Sequence, residues 1–294
     1  MTEPVVPHLD NVCALPAGRF AAIIGANPSR GARSPTLWNA VYAALGWDCR
    51  MWPFDVTAAN LPALLAWLAR NPDFMGGAVA VPHKQAIAQW LGDLHLDASA
   101  QGILAVNALM RGTTGQLRGA NTDGLAAAQV LLEGGLGAED FVLVFGFGGA
   151  AKAVINAIRH QVARVQVVTR SHAALETQTL ARWMSIELIA PEAVESVLTE
   201  ATVIINGTSL GSLPDYVAAT PLPPNFAEVA RHIRIAFDVV YQPIETRFLA
   251  SMPAGVIRLG GGRMNYLQAV QAFQQVHPEV PADFITQTMQ KVIK

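Results

Sequence analysis

Lysine is scarce in this chain: four residues, at 84, 152, 291 and 294, stand against sixteen arginines. Charge of either sign is thin as well, with 14% charged residues and a net charge of −2. The two signs are mixed along the chain. No basic stripe exists to neutralise successive phosphates, so nucleic-acid binding is not expected. Cysteine is limited to Cys13 and Cys49, which lie in no CxxC or Cys/His spacing. That argues against a disulfide framework and structural zinc, and for a reducing compartment. The seven histidines are scattered and form no cluster with Asp or Cys, so no metal is expected. Long apolar runs are missing too. AAIIGA (21–26) and FVLVFG (141–146) span about six residues, where a membrane helix needs roughly 20. The stretch MTEPVVPHLDNV has neither the basic start nor the apolar run of a secretion signal. A soluble, cytoplasmic protein is expected.

What is present is apolar bulk. Half of the 294 residues are apolar, enough for two ordinary domains or one large α/β domain with a substantial core. RFAAIIG (19–25) reads as a buried strand, followed by a polar loop and a helix opened by Ser34-Pro35. There the hydroxyl is expected to cap free N–H groups, and Pro35 needs no donor in the first turn. A strand at CRMWPFDV (49–56), a helix near 60–70, the strand GGAVAV (76–81) and a helix after Pro82 follow. AVNALMR and QLRGANTDG (105–124) suggest two strands closing at a turn, and an apolar helix spans 124–134. Further strands are expected at 141–146, 162–170, 203–207, 235–241 and 256–261, then helices over MNYLQAVQAFQQV and DFITQTMQKVIK. Strands alternating with helices imply a mostly parallel sheet, and the near-continuous apolar strands of the second half suit burial on both faces. Boundaries fall near 125 and 262, leaving the C-terminal helices to complete the first domain.

VLVFGFGGAAKAV joins a strand, a glycine turn and a helix in one run. Gly146 allows the turn, and Gly148 lets backbone N–H groups approach a pyrophosphate without an intervening Cβ. Ala151 permits close packing of helix on strand. The helix N-terminus then offers its partial positive charge to the diphosphate. A glycine turn alone occurs in many α/β proteins. Its position at the start of a βαβ unit favours a dinucleotide. About twenty residues on, where such folds read the adenosine ribose, stands Thr169-Arg170-Ser171 with no acid. Arg170 favours NADP, because a guanidinium pairs with a 2′-phosphate. A solvated surface arginine is the plainer alternative.

Several separated stretches then agree: GGAVAVPHK, AVN (105–107), GANTDG (119–124), GFGGAAKA, IINGTSLG (204–211), DVVYQPIET (238–246) and GGRMNYLQAVQAF (261–273). In order and spacing they resemble the shikimate/quinate dehydrogenase family, over roughly residues 20–275. The resemblance implies an α/β fold of two domains. An N-terminal substrate domain of mixed, mostly parallel sheet covers 1–125 and is completed by helices from 263–294. A Rossmann-type domain covers 126–262. It further implies NAD(P) and a polyhydroxylated cyclohexane carboxylate meeting in a cleft. In that family the lysine of the strand–Pro–x–Lys motif, here Lys84, pairs with the aspartate of Asn-Thr-Asp, here Asp123. The pair handles the proton of the substrate hydroxyl while hydride moves to or from the nicotinamide. A nearby carboxylate raises the pKa of such an amine while burial lowers it, so the residues leave open which partner is the formal base. Otherwise Lys84 is a snorkelling residue at a helix start, a place the helix dipole mildly disfavours for a cation.

By the same resemblance Ser34, Asn107, Asn121 and Gln268 contact substrate, with Tyr241 near its carboxylate end. Gly146, Gly148, Gly149, Ala150, Thr169, Arg170, Asn206 and Thr208 line the cofactor, and Val239, Gly261 and Met264 lie near the nicotinamide. Without the family, Asn107 and Asn121 read equally well as turn residues, and Tyr241, Met264 and Gln268 as core or helix surface.

The chain also departs from the pattern. The family's paired serines before the proline have become Ala32 and Ser34, its Asn-Val-Thr has become Ala78-Val79-Ala80, and Ala108 and Trp38 replace a threonine and a histidine. Each hydrogen bond lost to a charged group is worth about 1.5–3 kcal/mol. Shikimate is therefore expected to bind poorly in the usual mode, and a paralogue with a shifted substrate is expected. Arg30 or Arg33 is available as a replacement carboxylate partner, though either also reads as a solvated arginine. Ala174 stands where the family's NADP clamp often has its second basic residue, which leaves NAD in contention. The expected partner is a small ring acid, and the expected assembly a monomer or homodimer. The rivals are a catalytically silent dinucleotide-binding regulator and a tetrahydrofolate-type dehydrogenase. Retention of Lys84, Asp123, Asn107 and Gln268 argues against the first, and Asn-Thr-Asp with the Gln268 helix against the second.

Overall fold

The computed structural model describes residues 5–292. The first four residues of the stretch weighed as a secretion signal, and the last two of the expected terminal helix, lie outside them. The elements in chain order are β1 (Arg19–Gly25), α1 (Ser34–Leu45), β2 (Cys49–Asp55), α2 (Leu61–Arg70), β3 (Phe74–Val79), α3 (Lys84–Leu91), β4 (Ala108–Arg111), β5 (Leu117–Ala120) and α4 (Thr122–Glu133). There follow β6 (Phe141–Phe145), α5 (Gly149–Ile158), β7 (Arg164–Val168), α6 (Leu175–Met184), β8 (Glu187–Ile189), α7 (Val194–Leu198), β9 (Val203–Asn206), α8 (Phe226–Val229) and β10 (Ile235–Asp238). The chain closes with α9 (Arg247–Ala250), β11 (Ile257–Gly260), α10 (Gly261–Val276) and α11 (Ala282–Gln290). It divides into two compact units. One runs to Thr122 and resumes at Gln268; the other spans Asp123–Leu267.

The first unit holds a five-stranded mixed sheet in the order β2-β1-β3-β4-β5. Its first three strands are parallel, and β4 and β5 join antiparallel. Phe20, Ala22 and Ile24 share one face of β1, as the two-residue period of a strand requires. They bury there with Leu64, Leu65 and Leu68 of α2 and Ile87 of α3. The ring of Phe20 lies 5.6 Å from that of Phe74, within the range of favourable aromatic pairs. Trp38 and Tyr42 of α1 pack separately on Phe273 of α10, 4.9 and 5.2 Å between ring centroids. The glycines of β3 have a steric cause: a Cβ on Gly77 would lie 1.8 Å from the Ala22 carbonyl oxygen of β1.

The second unit is a six-stranded, all-parallel sheet ordered β11-β10-β9-β6-β7-β8. This is the strand order of the doubly wound dinucleotide fold. Its central strands β6, β9 and β10 are buried along their whole length, as the unbroken apolar runs predicted.

Several boundaries move. α4 begins at Thr122 and not Gly124, β3 covers 74–79 and not 76–81, and α11 ends at Gln290. The Ser34 cap is corrected. Helix α1 starts at Ser34 itself, Arg33 occupies the N-cap position, and that position makes no side-chain cap. Among the described residues, no helix is long and apolar enough to cross a membrane.

Candidate functional site

In open parallel sheets, ligands bind beyond the carboxyl ends of the strands where strand order reverses. In the second unit that point lies between β6 and β9. Strand β6 feeds the turn Gly146–Gly149, and β9 feeds Asn206-Gly207-Thr208. Gly146 has φ +92°, and a Cβ there would sit 2.7 Å from Thr208 Cγ2. Only glycine fits. Ideal Cβ atoms on Gly148 and Gly149, by contrast, meet nothing within 4 Å. Helix α5 starts at Gly149 with no side-chain cap, so no side chain occupies the cap position ahead of Ala150. An open cradle at an uncapped helix start is the shape a diphosphate needs. Ala151 is fully buried, and its methyl is 2.7 Å from where a Cβ on Gly207 would lie, which brings α5 close against the end of β9.

Asn206 and Thr208 are held by a buried acid that sequence reasoning missed. The Asn206 amide donates to Asp238 Oδ1 at 3.0 Å and to the Leu210 carbonyl at 2.9 Å. Its Oδ1 accepts from the Thr208 hydroxyl at 2.7 Å and the Thr208 N–H at 3.1 Å. Asp238 also accepts from the Val240 N–H at 2.9 Å and the Thr246 hydroxyl at 2.5 Å. Burial pushes its carboxyl above the ordinary range, against the pull of those three donors. An acid closing the apolar run IAFD was the available signal.

The remaining cofactor candidates of this unit fall at the same carboxyl ends. A Cβ on Gly261 would lie 2.3 Å from the Val239 carbonyl oxygen, so α10 starts against the residue that follows β10. Val239 in turn donates its N–H to the Asn206 carbonyl at 3.1 Å. Met264 is buried in the first turn of α10, and Tyr241 is half-buried. Beyond β7, the Thr169 hydroxyl meets that of Ser171 at 3.1 Å, and Arg170 is exposed. Ala174 occupies the N-cap position of α6 and supplies no side-chain cap.

In the first unit the strand order reverses at β1 and β3. Lys84 opens α3 just beyond β3, and its carbonyl accepts from the Val106 N–H at 2.9 Å. Next to it, buried His83 donates from Nε2 to the Val56 carbonyl at 2.7 Å. The neighbouring strand ends carry a buried polar circuit. Asn107 Nδ2 donates to Thr122 Oγ1 at 3.0 Å and to Gln268 Oε1 at 3.3 Å, while its Oδ1 accepts from the Thr122 N–H at 2.7 Å. Thr122 Oγ1 passes its hydrogen to the Gln268 carbonyl at 3.0 Å. Asn121 donates to the Ala105 carbonyl at 2.9 Å, and its own N–H donates to the Ser99 hydroxyl. The structure thus joins Asn107 to Gln268 both directly and through Thr122, a threonine that sequence reasoning passed over. Ser34 is buried at the head of α1, outside this circuit. Asp123, in the second unit, is buried in the first turn of α4.

A profile described as the shikimate dehydrogenase substrate binding domain matches residues 23–109. A shikimate dehydrogenase (NADP(+)) of Methanosarcina acetivorans is 33% identical over 272 residues, spanning 89% of this chain and 94% of that protein. The shikimate 5-dehydrogenase of Thermus thermophilus, solved in complex with NADP(H) and shikimate, is 28% identical, with TM-score 0.77, covering 93% of this chain and 99% of the other. Quinate dehydrogenase of Corynebacterium glutamicum, solved with NAD, is 26% identical, with TM-score 0.79, covering 94% and 99%. On the strength of this identity and coverage, the chain belongs to the shikimate dehydrogenase family.

Proposed function

We propose that this protein is an NAD(P)-dependent dehydrogenase acting on a ring hydroxyl of shikimate, quinate or a related carbocyclic acid. The observation that carries the reading is the placement of Lys84, one of only four lysines, at the start of α3 just beyond the carboxyl end of β3. A cation at a helix start works against the helix dipole. Proton transfer from an alcohol gives it a use there.

The roles divide between the two units. The first binds the ring acid and the second the dinucleotide. When bound, the nicotinamide supplies or accepts the hydride. Lys84 and Asp123 move the hydroxyl proton as hydride departs from or arrives at the same carbon. Gln268 and Asn121 orient the ring hydroxyls. Asn107 acts chiefly by aiming Gln268, since both of its amide hydrogens have protein acceptors. Ser34 and Tyr241 sit toward the carboxylate end. Gly146, Gly148, Gly149 and Ala150 cradle the diphosphate. Thr169 and Arg170 meet the adenosine ribose, where one arginine without a second basic residue accommodates NAD as well as NADP. Asn206 and Thr208 border the nicotinamide ribose, and Val239, Gly261 and Met264 the nicotinamide itself. The free thiols of Cys13 and Cys49 fit a reducing cytoplasm, and the working form is a monomer or homodimer.

The testing experiment is a dehydrogenation screen of shikimate, quinate and aminoshikimate with each nucleotide, read as NAD(P)H absorbance. Turnover of at least one ring acid is expected. Cofactor binding with no turnover of any would favour a silent regulator.

A further inference from the structure

We propose that Arg30 binds the substrate carboxylate in place of the missing serine, making it the specificity-determining residue of this chain; the assignment rests on the ring-acid reading above. The loop after β1 is built to present it. Residues Pro28–Arg30 form a short helical turn, in which the Arg30 N–H donates to the Asn27 carbonyl at 3.1 Å and the Ala32 N–H to the Pro28 carbonyl at 3.0 Å. Asp55, buried at the end of β2, clamps the turn from below. Its Oδ1 accepts the Ser29 N–H at 2.9 Å, and its Oδ2 accepts the Ser29 hydroxyl. A loop fixed at both ends loses little entropy when it meets a ligand.

Arg30 lines a cavity of about 480 Å³ at the carboxyl ends of β1, β2 and β3, with Asn27, Asp55, Pro82 and His83. Lys84 is the next residue in the chain. Each titratable side chain on this wall except Arg30 already has a hydrogen-bond partner within the protein. Asp55 is spent on Ser29, and Asp10, also on the wall, accepts from Asn60 Nδ2 at 3.2 Å. His83 is committed to the Val56 carbonyl. Arg33 is partnered. The Arg30 guanidinium is exposed and makes no hydrogen bond or ion pair with any other described residue.

The chemistry of the departures points the same way. Ala32, Ala78 and Ala80 supply neither hydroxyl nor amide, so a carboxylate arriving at this crevice needs another donor. A guanidinium offers two parallel N–H groups matched to the two carboxylate oxygens. It also reaches further than a serine hydroxyl. The ring acid would then sit toward β2, in the cavity that Arg30 lines.

The test compares shikimate with its methyl ester as substrates of the wild type, Arg30→Gln and Arg30→Lys. The wild type is expected to prefer the free acid. In Arg30→Gln, KM for the acid rises by about tenfold or more, the loss falling on KM more than on kcat, and the acid-over-ester preference collapses. Arg30→Lys restores part of that preference. Asp55→Leu raises the same KM by releasing Ser29, and adds nothing further in an Arg30→Gln background, as expected of a positioning residue acting through Arg30. An Arg30→Gln enzyme that keeps both its KM and its acid preference overturns the assignment and leaves the dehydrogenase reading standing. A wild type that turns over no ring acid with either nucleotide overturns both.

Discussion

Asn107 and Thr122 grip each other twice, the asparagine Nδ2 donating to the threonine hydroxyl at 3.0 Å and its Oδ1 accepting the threonine N–H at 2.7 Å. The second bond satisfies an N–H at the very start of α4, one that the helix cannot satisfy itself. The first, with the bond to Gln268, fixes an α10 side chain proposed to face substrate. Asn107→Ala is expected to cost about 1–3 kcal/mol of stability, because it strands the buried Thr122 N–H. Asn107→Asp keeps the acceptor for α4 and loses the donors. It should therefore fold better than the alanine variant, yet show a raised KM for the ring acid with an unchanged Kd for NAD(P). Chemical denaturation and steady-state kinetics read the two effects apart.

Two glycines of the second unit should respond oppositely to the same change. Gly148 has φ −78° and open space at its Cβ position. Gly148→Ala is therefore expected to leave Tm essentially unchanged while weakening NAD(P) by about tenfold or more, a methyl intruding on a close contact costing about 1–3 kcal/mol. Gly207→Ala would drive a Cβ to 2.7 Å from that of Ala151. It should lower stability by about 1–3 kcal/mol before any ligand is added. Thermal unfolding with and without nucleotide distinguishes the pair.

The acid limb of stability should carry the signature of Asp140. Burial opposes its ionisation, but the Arg234 guanidinium, the Gly137 N–H and the Thr202 hydroxyl outweigh it, holding the carboxyl below its ordinary value. Arg234 Nε donates to Asp140 Oδ1 at 2.8 Å. With the folded pKa below the unfolded one, this stabilisation is fully present above about pH 4 and is lost as pH falls through the folded value. Asp140→Asn should cost about 1–2 kcal/mol at pH 7, a modest figure because Arg234 is partly open to solvent. Its stability should then fall less steeply than the wild type's below pH 4. Urea midpoints across pH 3–7 provide the comparison.

Much of this architecture is legible in residue order. The apolar runs at 19–25, 141–145 and 203–206 are strands because parallel strands covered on both faces need no polar alternation. The glycine turn was legible for a steric reason, seen in the 2.7 Å approach of Thr208 to the Cβ position of Gly146. Other elements gave little signal. Strand β8 is three residues long, and α7, α8 and α9 are four or five, too short for any period to show. The supporting polar groups were the least visible. Asp238 serves Asn206 from 32 positions away, and Asp55 serves Ser29 from 26. Such partners are chosen by strand order, which local composition does not encode.

The proton-transfer claim is tested most directly by single-turnover and steady-state oxidation of a ring acid by wild type, Lys84→Ala and Asp123→Asn, with nucleotide binding measured in parallel. An acid–base pair contributes about 10²–10⁴-fold. Each variant should therefore lose turnover within that range while binding NAD(P) as tightly as the wild type. A Lys84→Ala enzyme that oxidises the ring acid at the wild-type rate would contradict the account.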